Sequence, residues 1–302
     1  MSKNIIVVGS CNTDMVIKTD HLPVPGETVM GGDFLMNPGG KGANQAVAAA
    51  RLKGNVYFIA KTGNDLFGKR SVEQYEDEGI HTEYIYSDPV LPSGVALIIV
   101  DANGENSITV ASGANSSLSP EDIRNALPAI EKGDILLMQL EIPMETVEYA
   151  AQLAREQGLK VILNPAPAHT LPEKLLQNLY MIIPNETEAE ILSGIKVTDW
   201  ESARKAADAI SAKGVDIVVI TMGSKGALIK EKGHYHEVPV PKVKPIDTTA
   251  AGDTFCGALC VALAENKNVA DAVRFANQCA SISVTRMGAQ SSLPYRREID
   301  IL

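Results

Sequence analysis

The stretch "DTTAAGDTF" (247–255) sets a single acid, Asp253, behind a run of small residues, with Asp247 at its start. Phe255, Leu259 and Leu263 then recur every four residues, so a helix starts near Ala251. Residues 250–253 form its first turn. Amides there point outward, and the helix dipole favours negative charge. The small side chains of Ala250, Ala251 and Gly252 leave those amides uncovered, a cradle suited to a phosphoryl group. Asp253 stands in the same turn. Beside a hydroxyl it can accept the proton as the oxygen attacks phosphorus. A plainer reading has Asp253 complementing the helix dipole, worth about 0.3–1 kcal/mol. That reading does not account for the consecutive small residues.

Other stretches offer polar groups at the ends of apolar runs. "GSCNTDMV" (9–16) puts Asn12 and Asp14 just past the first run. An amide and a carboxylate can together donate to and accept from adjacent hydroxyls, although a turn or capping role fits this stretch equally well. "NPGGKGANQA" (37–46) has Gly39, Gly40 and Gly42, which let backbone approach a ligand, and Asn44 in the first turn of a helix. Glu141 in "LMQLEIP" follows a third apolar run. "IIPNETEAE" (182–190) places Asn185 and Glu188 three apart on one helix face. A carboxylate there can hold the waters of a magnesium ion beside phosphates, and a capped helix with a solvated acidic face is the equal alternative. Thr221, Gly223 and Gly226 in "VVITMGSKGALI" suit a nucleotide lying against backbone, or an ordinary hairpin entry.

These groups need a scaffold. Apolar runs at 4–9, 56–63, 134–140, 159–164, 180–184 and 215–221 read as buried strands. Helix-like segments such as "PEDIRNALPAI", "METVEYAAQLAREQG" and "ESARKAADAISAKG" lie between them. The alternation predicts an α/β fold, a mostly parallel sheet with helices on both faces in a Rossmann-like three-layer arrangement. Open sheets of this kind bind ligands outside the carboxyl ends of their strands, where Asn12, Asp14, Glu141 and Thr221 fall. Two regions, about 13–38 and 91–112, break the pattern with strand pairs, the second around Asn103-Gly104. They predict a small antiparallel sheet projecting from the single 1–302 domain as a discontinuous lid. Its run "VALIIV" needs cover on more than one side, which an equivalent sheet of a second subunit can supply.

Composition narrows the partners. The 302 residues are 45% hydrophobic and carry a net charge of -10, which argues against a broad nucleic-acid surface. No segment approaches a membrane span, and the first apolar run is too short for a signal peptide, so a cytoplasmic location with reduced thiols is expected. Cys256 and Cys260 read as small buried residues, and His234 with His236 lack a nearby third ligand. There is no G-x-x-x-x-G-K-[ST] loop and no G-x-G-x-x-G after the first run, which argues against a P-loop enzyme or a dinucleotide-dependent oxidoreductase. A sensor that kept the fold would need neither Asp253 nor the open turn beside it.

"GGKGAN" followed about two hundred residues later by "DTTAAGD" resembles the two signatures of the ribokinase-like carbohydrate kinase family. The resemblance covers essentially the whole chain and includes "GSCNTD", "NPAPA" (164–168), "PNETE" and "FANQCASISVTRMGAQSSLP" (275–294). It implies ATP-dependent phosphorylation of D-ribose at its 5-hydroxyl, with a kinase for another sugar or a nucleoside as the alternative. It further implies that Asn12, Asp14, Gly39, Gly40, Lys41, Asn44 and Glu141 hold the sugar, with Asp253 as general base. Ala250, Ala251 and Gly252 form the anion hole. Asn185, Thr221, Gly223, Ser224, Gly226, Gly252 and Asn277 border ATP, with Glu188 near Mg2+. A monovalent cation, usually K+, is implied at Asp247, Thr249, Ser283, Arg286, Gly288 and Ser292, several through backbone carbonyls. The lid sheet is expected to pair between subunits as a homodimer. Many relatives have Gly-Ala-Gly-Asp where this chain has Ala250-Ala251-Gly252-Asp253, and alanine is small enough to keep the anion hole.

Overall fold

Strand β1 (Asn4–Val8) is apolar along its whole length, and its alternate residues enter two different cores. Ile5 and Val7 pack with the helices Lys41–Arg51, Ala251–Ala264 and Val269–Ser283. Ile6 and Val8 pack with Pro120–Asn125, Met144–Glu156 and Trp200–Ser211. A strand buried on both faces requires helices on both sides of its sheet. The computed structural model describes residues 3–300.

The chain leaves β1 as β2 (Asn12–Lys18) and β3 (Phe34–Gly39), then returns as β4 (Asn55–Gly63) and β5 (Ile85–Asp88). It leaves again as β6 (Gly94–Val100) and β7 (Asn106–Ala111). Strands β8 (Ile135–Met138), β9 (Lys160–Leu163), β10 (Met181–Ile182) and β11 (Ile217–Thr221) extend the main sheet. The hairpin β12 (Ala227–Glu231) and β13 (His234–Val238) ends it. The order in this nine-stranded sheet is β13-β12-β11-β10-β9-β8-β1-β4-β5, parallel except for the hairpin. From β1 the chain proceeds to β4 on one side and later to β8 on the other. Strand order therefore reverses at β1, and a cleft opens beyond the carboxyl ends there.

The two insertions meet in a second sheet, ordered β3-β2-β6-β7. Each insertion contributes an antiparallel pair, and β2 joins β6 in parallel, with Asn12 opposite Gly94 and Lys18 opposite Val100. Register divides this sheet into two faces. Asp14 shares its face with Ala96, Ile98 and Val110. The opposite face presents Ile17, Phe34, Met36 and Leu97, each between 40% and 55% exposed. Among the described residues this apolar face stays largely open.

The segment "PEDIRNALPAI" forms two short helices, Pro120–Asn125 and Leu127–Ile130, where the periodicity predicts one. Pro128 is the cause. Its ring lacks an N–H and clashes with the preceding turn, so the chain restarts a helix with proline at the beginning. Among the described residues no helix is long and apolar enough to cross a membrane.

Candidate active site

Helix Ala251–Ala264 begins without a side-chain cap. Its N-cap, Ala250, has φ 57 and ψ 12, the left-handed region. An alanine held there costs about 1–2 kcal/mol, which glycine avoids, a physical reason for the glycine expected at this position in related sequences. The Ala251 amide donates to the Thr248 carbonyl at 3.2 Å. Among the described residues the amides of Gly252 and Asp253 have no partner. The Ala250 amide is likewise unpartnered among the described residues, so of the expected set Ala250 to Gly252 only Ala251 is engaged. A Cβ built on Gly252 meets no protein atom within 4 Å. The turn borders a cavity of about 220 Å³, together with Lys41, Asn185, Glu188, Thr221 and Thr248.

Asp253 itself is only 6% exposed. Asn44 Nδ2 donates to one carboxylate oxygen at 3.0 Å and Gln45 Nε2 to the other, also at 3.0 Å. Both amides come from the first turn of helix Lys41–Arg51. That helix can approach because Gly42 packs on the backbone of Gly9 and Ser10, where a Cβ would sit 2.6 Å from the main chain. Gly40 enters the helix at φ 88 with its Cα against Cys11 and Asn12. The glycines of "NPGGKGAN" therefore serve first to seat the helix against the end of β1.

The other candidate hydroxyl-binding groups surround this point. Asn12 and Asp14 lie on β2, the first strand of the small sheet. Asn115 fixes Asn12 by donating to its Oδ1 at 2.8 Å, which leaves the Asn12 amide nitrogen available. Asp14 accepts no hydrogen bond among the described residues, and its carboxylate covers the bare Cα of Gly39. Glu141 accepts from Ser10 Oγ at 2.6 Å and from the Lys41 amide at 2.9 Å, so it caps the helix that carries Asn44. Asn12 and Glu141 also line a second cavity of about 390 Å³ against the small sheet, with Val110 and Asn115.

Other candidates fall elsewhere. Asn185 and Glu188 form a capping box, each side chain bonded to the other's amide at 2.8 and 2.9 Å. The capping role is therefore real, yet both residues border the smaller cavity. Gly223 and Ser224 sit in an exposed turn beyond β11. Gly226, at φ 107, lies against the Val238 carbonyl, where a Cβ would fall 2.1 Å away. Asn277 is buried and donates to the carbonyls of Val238 and Pro239, so it ties down the end of β13 and does not line either cavity.

The residues expected around a monovalent cation form a separate cluster behind the turn. Asp247 accepts from the Thr249 amide and hydroxyl at 2.9 and 2.6 Å and from the Gly288 amide at 2.8 Å. The amides of Ile246 and Asp247 donate to the Val284 carbonyl. Ser283 and Ser292 direct their hydroxyls to the carbonyls of Ala280 and Ala289. Arg286 pairs with Glu298 at 2.5 Å. Thr248, between Asp247 and Thr249, faces the smaller cavity.

Three amides and a hydroxyl in the site escaped sequence reasoning: Gln45, Gln139, Asn164 and Ser10. Gln45 follows Asn44 in a helix start, whereas Ser10, Gln139 and Asn164 are polar within or directly after an apolar run, as in "LLMQL" and "VILNPA". That pattern was the available signal, because a lone amide in a buried run needs a specific partner. Gln45 donates to both Asp253 and Asn164, and it accepts from Gln139 at 2.6 Å.

Charge is concentrated here. Burial pushes the Asp253 carboxyl up, opposed by the Lys41 charge and the Asn44 and Gln45 donors. Burial lowers Lys41, but the carboxylates of Asp253, Glu141 and Glu188 outweigh it and raise the ammonium above its usual value. Burial also raises Glu188, against its bond from the Asn185 amide. At Asp247 burial acts upward, and the Thr249 and Gly288 donors overcome it to hold the carboxyl low. Asp14 is pushed from 3.8 up to about 6, first by burial and then by Glu141 and Asp253.

The Asp14 shift has a measurable consequence. Between these two values the native state binds more protons than the unfolded chain, so stability falls as pH rises through that window and stays lower above it. Asp14→Asn removes the penalty. The ligand-free variant is therefore expected to exceed the wild type by up to about 3 kcal/mol above roughly pH 7. The difference vanishes below about pH 4. Denaturant melts of both proteins across that range check it.

The site thus joins a proton acceptor, open amides at a helix start, a lysine and a second carboxylate around one cavity. Comparison with known proteins places it. The profile of the pfkB family carbohydrate kinases matches residues 2–296. The chain belongs to this family. It is 48% identical over 298 residues to a ribokinase of Haemophilus influenzae, covering 99% of this chain and 97% of that protein. A deoxyribokinase of Salmonella typhimurium is 40% identical over 292 residues, covering 96% of this chain and 95% of the other. Among solved structures, the Arabidopsis thaliana ribokinase complexed with ribose and ATP superposes with a TM-score of 0.93 at 33% identity, over 100% of this chain and 98% of that one. The expected fold, a mostly parallel three-layer α/β sheet with a small separate sheet, is the fold of the family.

Proposed function

We propose that this chain transfers the γ-phosphoryl group of ATP to the 5-hydroxyl of D-ribose, giving ribose 5-phosphate and ADP. The observation that carries the reading is Asp253, buried and held by two amide donors beside unpartnered helix-start amides. A proton acceptor and an anion cradle so close together suit phosphoryl transfer to an alcohol. The ribokinase of Haemophilus influenzae, at 48% identity, supports the choice of sugar.

In this reading D-ribose lies between the carboxyl ends of the main sheet and the small sheet. Asn12, Asp14, Gly39, Gly40, Lys41, Asn44 and Glu141 hold its hydroxyls. Asp253 accepts the proton of the 5-hydroxyl as that oxygen forms its bond to phosphorus and the bond to the ADP oxygen breaks. The turn from Ala250 to Asp253 and the Lys41 ammonium offset the charge that gathers on the transferring group. ATP runs from this turn past Asn185 and Thr221 toward Gly223, Ser224 and Gly226. Asn277 supports that end through the chain at Val238 and Pro239.

A divalent metal accompanies ATP in such a transfer, and Mg2+ is our assignment. Glu188 fits it, because the capping bond from Asn185 engages Oε2 alone and the side chain borders the cavity. Mg2+ bound there with ATP would neutralise phosphate charge. The cluster of Asp247, Thr249, Ser283, Arg286, Gly288 and Ser292 fits K+. It ties two loops together through Asp247 and the Val284 carbonyl and carries one carboxylate with the hydroxyls of Thr249, Ser283 and Ser292, oxygen donors that suit a weakly bound cation. Through Thr248 it adjoins the catalytic turn, so a cation there would brace the turn.

The sheet formed by about 13–38 and 91–112 acts as the lid, excluding water when sugar is bound. Its outer face of Ile17, Phe34, Met36 and Leu97 is the natural surface for a homodimer, because an apolar sheet face of this kind calls for a partner. We assign the protein to the cytoplasm, a compartment that supplies ATP and keeps cysteines such as its four unpaired, buried ones reduced.

The deoxyribokinase of Salmonella typhimurium, at 40% identity, gives one competing reading, with 2-deoxy-D-ribose as acceptor. ATP consumption measured with D-ribose, 2-deoxy-D-ribose, a hexose and a nucleoside separates them. D-ribose is expected to give the highest kcat/KM, and K+ to raise the rate over a buffer without monovalent metal ions. A higher kcat/KM for any of the other three overturns the substrate assignment. Equal rates with and without K+ remove the cation role.

A further inference from the structure

Two amides grip Asp253, and only one of them belongs to the sugar-binding set. Gln45 is fully buried and borders neither cavity. Its Nε2 donates to Asp253 Oδ1 at 3.0 Å and to Asn164 Oδ1 at 3.1 Å. Its Oε1 accepts from Gln139 Nε2 at 2.6 Å, and Asn164 Nδ2 donates to the Ile183 carbonyl at 3.1 Å.

The bond to Ile183 orders all the others, because a carbonyl only accepts. Asn164 must turn its nitrogen to Ile183, so its oxygen meets Gln45. Gln45 must then turn its nitrogen to Asn164 and Asp253, and its oxygen to Gln139. An N–H facing Asp253 follows from a backbone anchor, not from a free choice between two amide orientations. The anchor also spans the site. Gln139 follows β8, Asn164 follows β9, and Gln45 stands on the helix that carries Lys41 and Asn44.

We propose that Gln45, anchored by Gln139 and Asn164, is a positioning residue for phosphoryl transfer that keeps the Asp253 carboxylate ionised and in a fixed orientation. The proposal rests on Asp253 being the general base. The groups facing Asp253 show why a dedicated donor is needed. Lys41 favours its charge, while Glu141, Glu188 and Asp14 oppose it, and Cys256 one turn further on is a buried neutral thiol. Burial is the largest influence against ionisation. Asn44 must also serve the sugar. Gln45 has no ligand to serve, so its donor stays on Asp253 through the reaction.

Gln45→Met keeps the side-chain length and loses the N–H. In the full-length protein, at saturating D-ribose and ATP, the acidic limb of kcat against pH is expected to move up by about one to two pH units. KM for ATP is expected to stay within about twofold. If that variant does not fold, Gln139→Met decides the matter. It leaves Gln45 bonded to Asn164 and Asp253 but removes the donor to its Oε1, so the anchor loosens and the limb moves the same way by less. A folded variant whose acidic limb stays where it is overturns the proposal, even when kcat is uniformly lower. Asp253→Asn separates this from the underlying reading. Full turnover in that variant refutes the base, whereas an unmoved limb beside an inactive Asp253→Asn refutes Gln45 alone.

Discussion

Asp253→Asn is expected to lower kcat by roughly 10²–10⁴-fold, the contribution of a positioned general base. The fold survives the change for a specific reason. An asparagine at this point would bring an N–H toward Gln45 or Asn44, both of which now donate to the carboxylate. Asn44 Oδ1 is buried and has no partner, so rotation of the Asn44 amide turns that acceptor to the new donor. The variant also removes a charge that burial disfavours. Its thermal midpoint at neutral pH is therefore expected to equal or exceed that of the wild type. Loss of turnover together with loss of the folded state would show that Asp253 holds the structure and leave its chemistry without support.

Gly252→Ala tests the anion cradle independently of the base. A methyl here stands clear of every protein atom within 4 Å, so it brings no clash in the folded chain. In the first turn of a helix it stabilises by up to about 1 kcal/mol relative to glycine. The same methyl covers one of the unpartnered amides and enters the space of the transferring phosphoryl group. Loss of one such donor lowers kcat by about 10²–10³-fold. The expected result is a protein that melts slightly higher and turns over far more slowly. Unchanged kcat with ATP would place the phosphoryl group elsewhere, and no folded-state explanation could rescue the cradle.

These two variants act on residues that the sequence made visible. A run of small residues before one acid at a helix start has few structural explanations, so the turn at 250–253 was legible down to the residue. The strands were legible for a similar reason, because buried parallel strands such as β1 and β11 are uninterrupted apolar runs. Other features depended on contacts between distant segments. Glu141 was found by its place after a strand, but its grip on the Lys41 amide and Ser10 lies in the packing of β8 against β1. Gln45, one residue after a recognised ligand candidate, carries no charge and belongs to no motif. Its value comes from Asp253, Asn164 and Gln139, each far away in sequence. Asn277, a polar residue in a family-like stretch, is likewise defined by distant contacts, its amide donating to the carbonyls of Val238 and Pro239. The join between the two insertions was equally hidden. Each hairpin announces itself locally, whereas the parallel pairing of β2 with β6 is set by where both leave the main sheet.

The fold adds an energetic theme to this division. Asp14, Glu188 and Asp253 are all raised by burial, and Ala250 adopts a left-handed backbone. Each lowers the stability of the ligand-free protein, and together they keep charges and amides where a sugar and a nucleotide can meet them. Such concentrated strain and desolvation around one cavity is typical of a site shaped for chemistry.

The most direct test of the whole account is the identity of the product. The wild-type protein, incubated with D-ribose, ATP, Mg2+ and K+, is followed by phosphorus and carbon magnetic resonance until ATP is consumed. The account predicts stoichiometric ADP and a single new phosphate ester on the 5-carbon of ribose. A phosphate ester on any other hydroxyl, or ATP hydrolysis to free phosphate with ribose untouched, would contradict it.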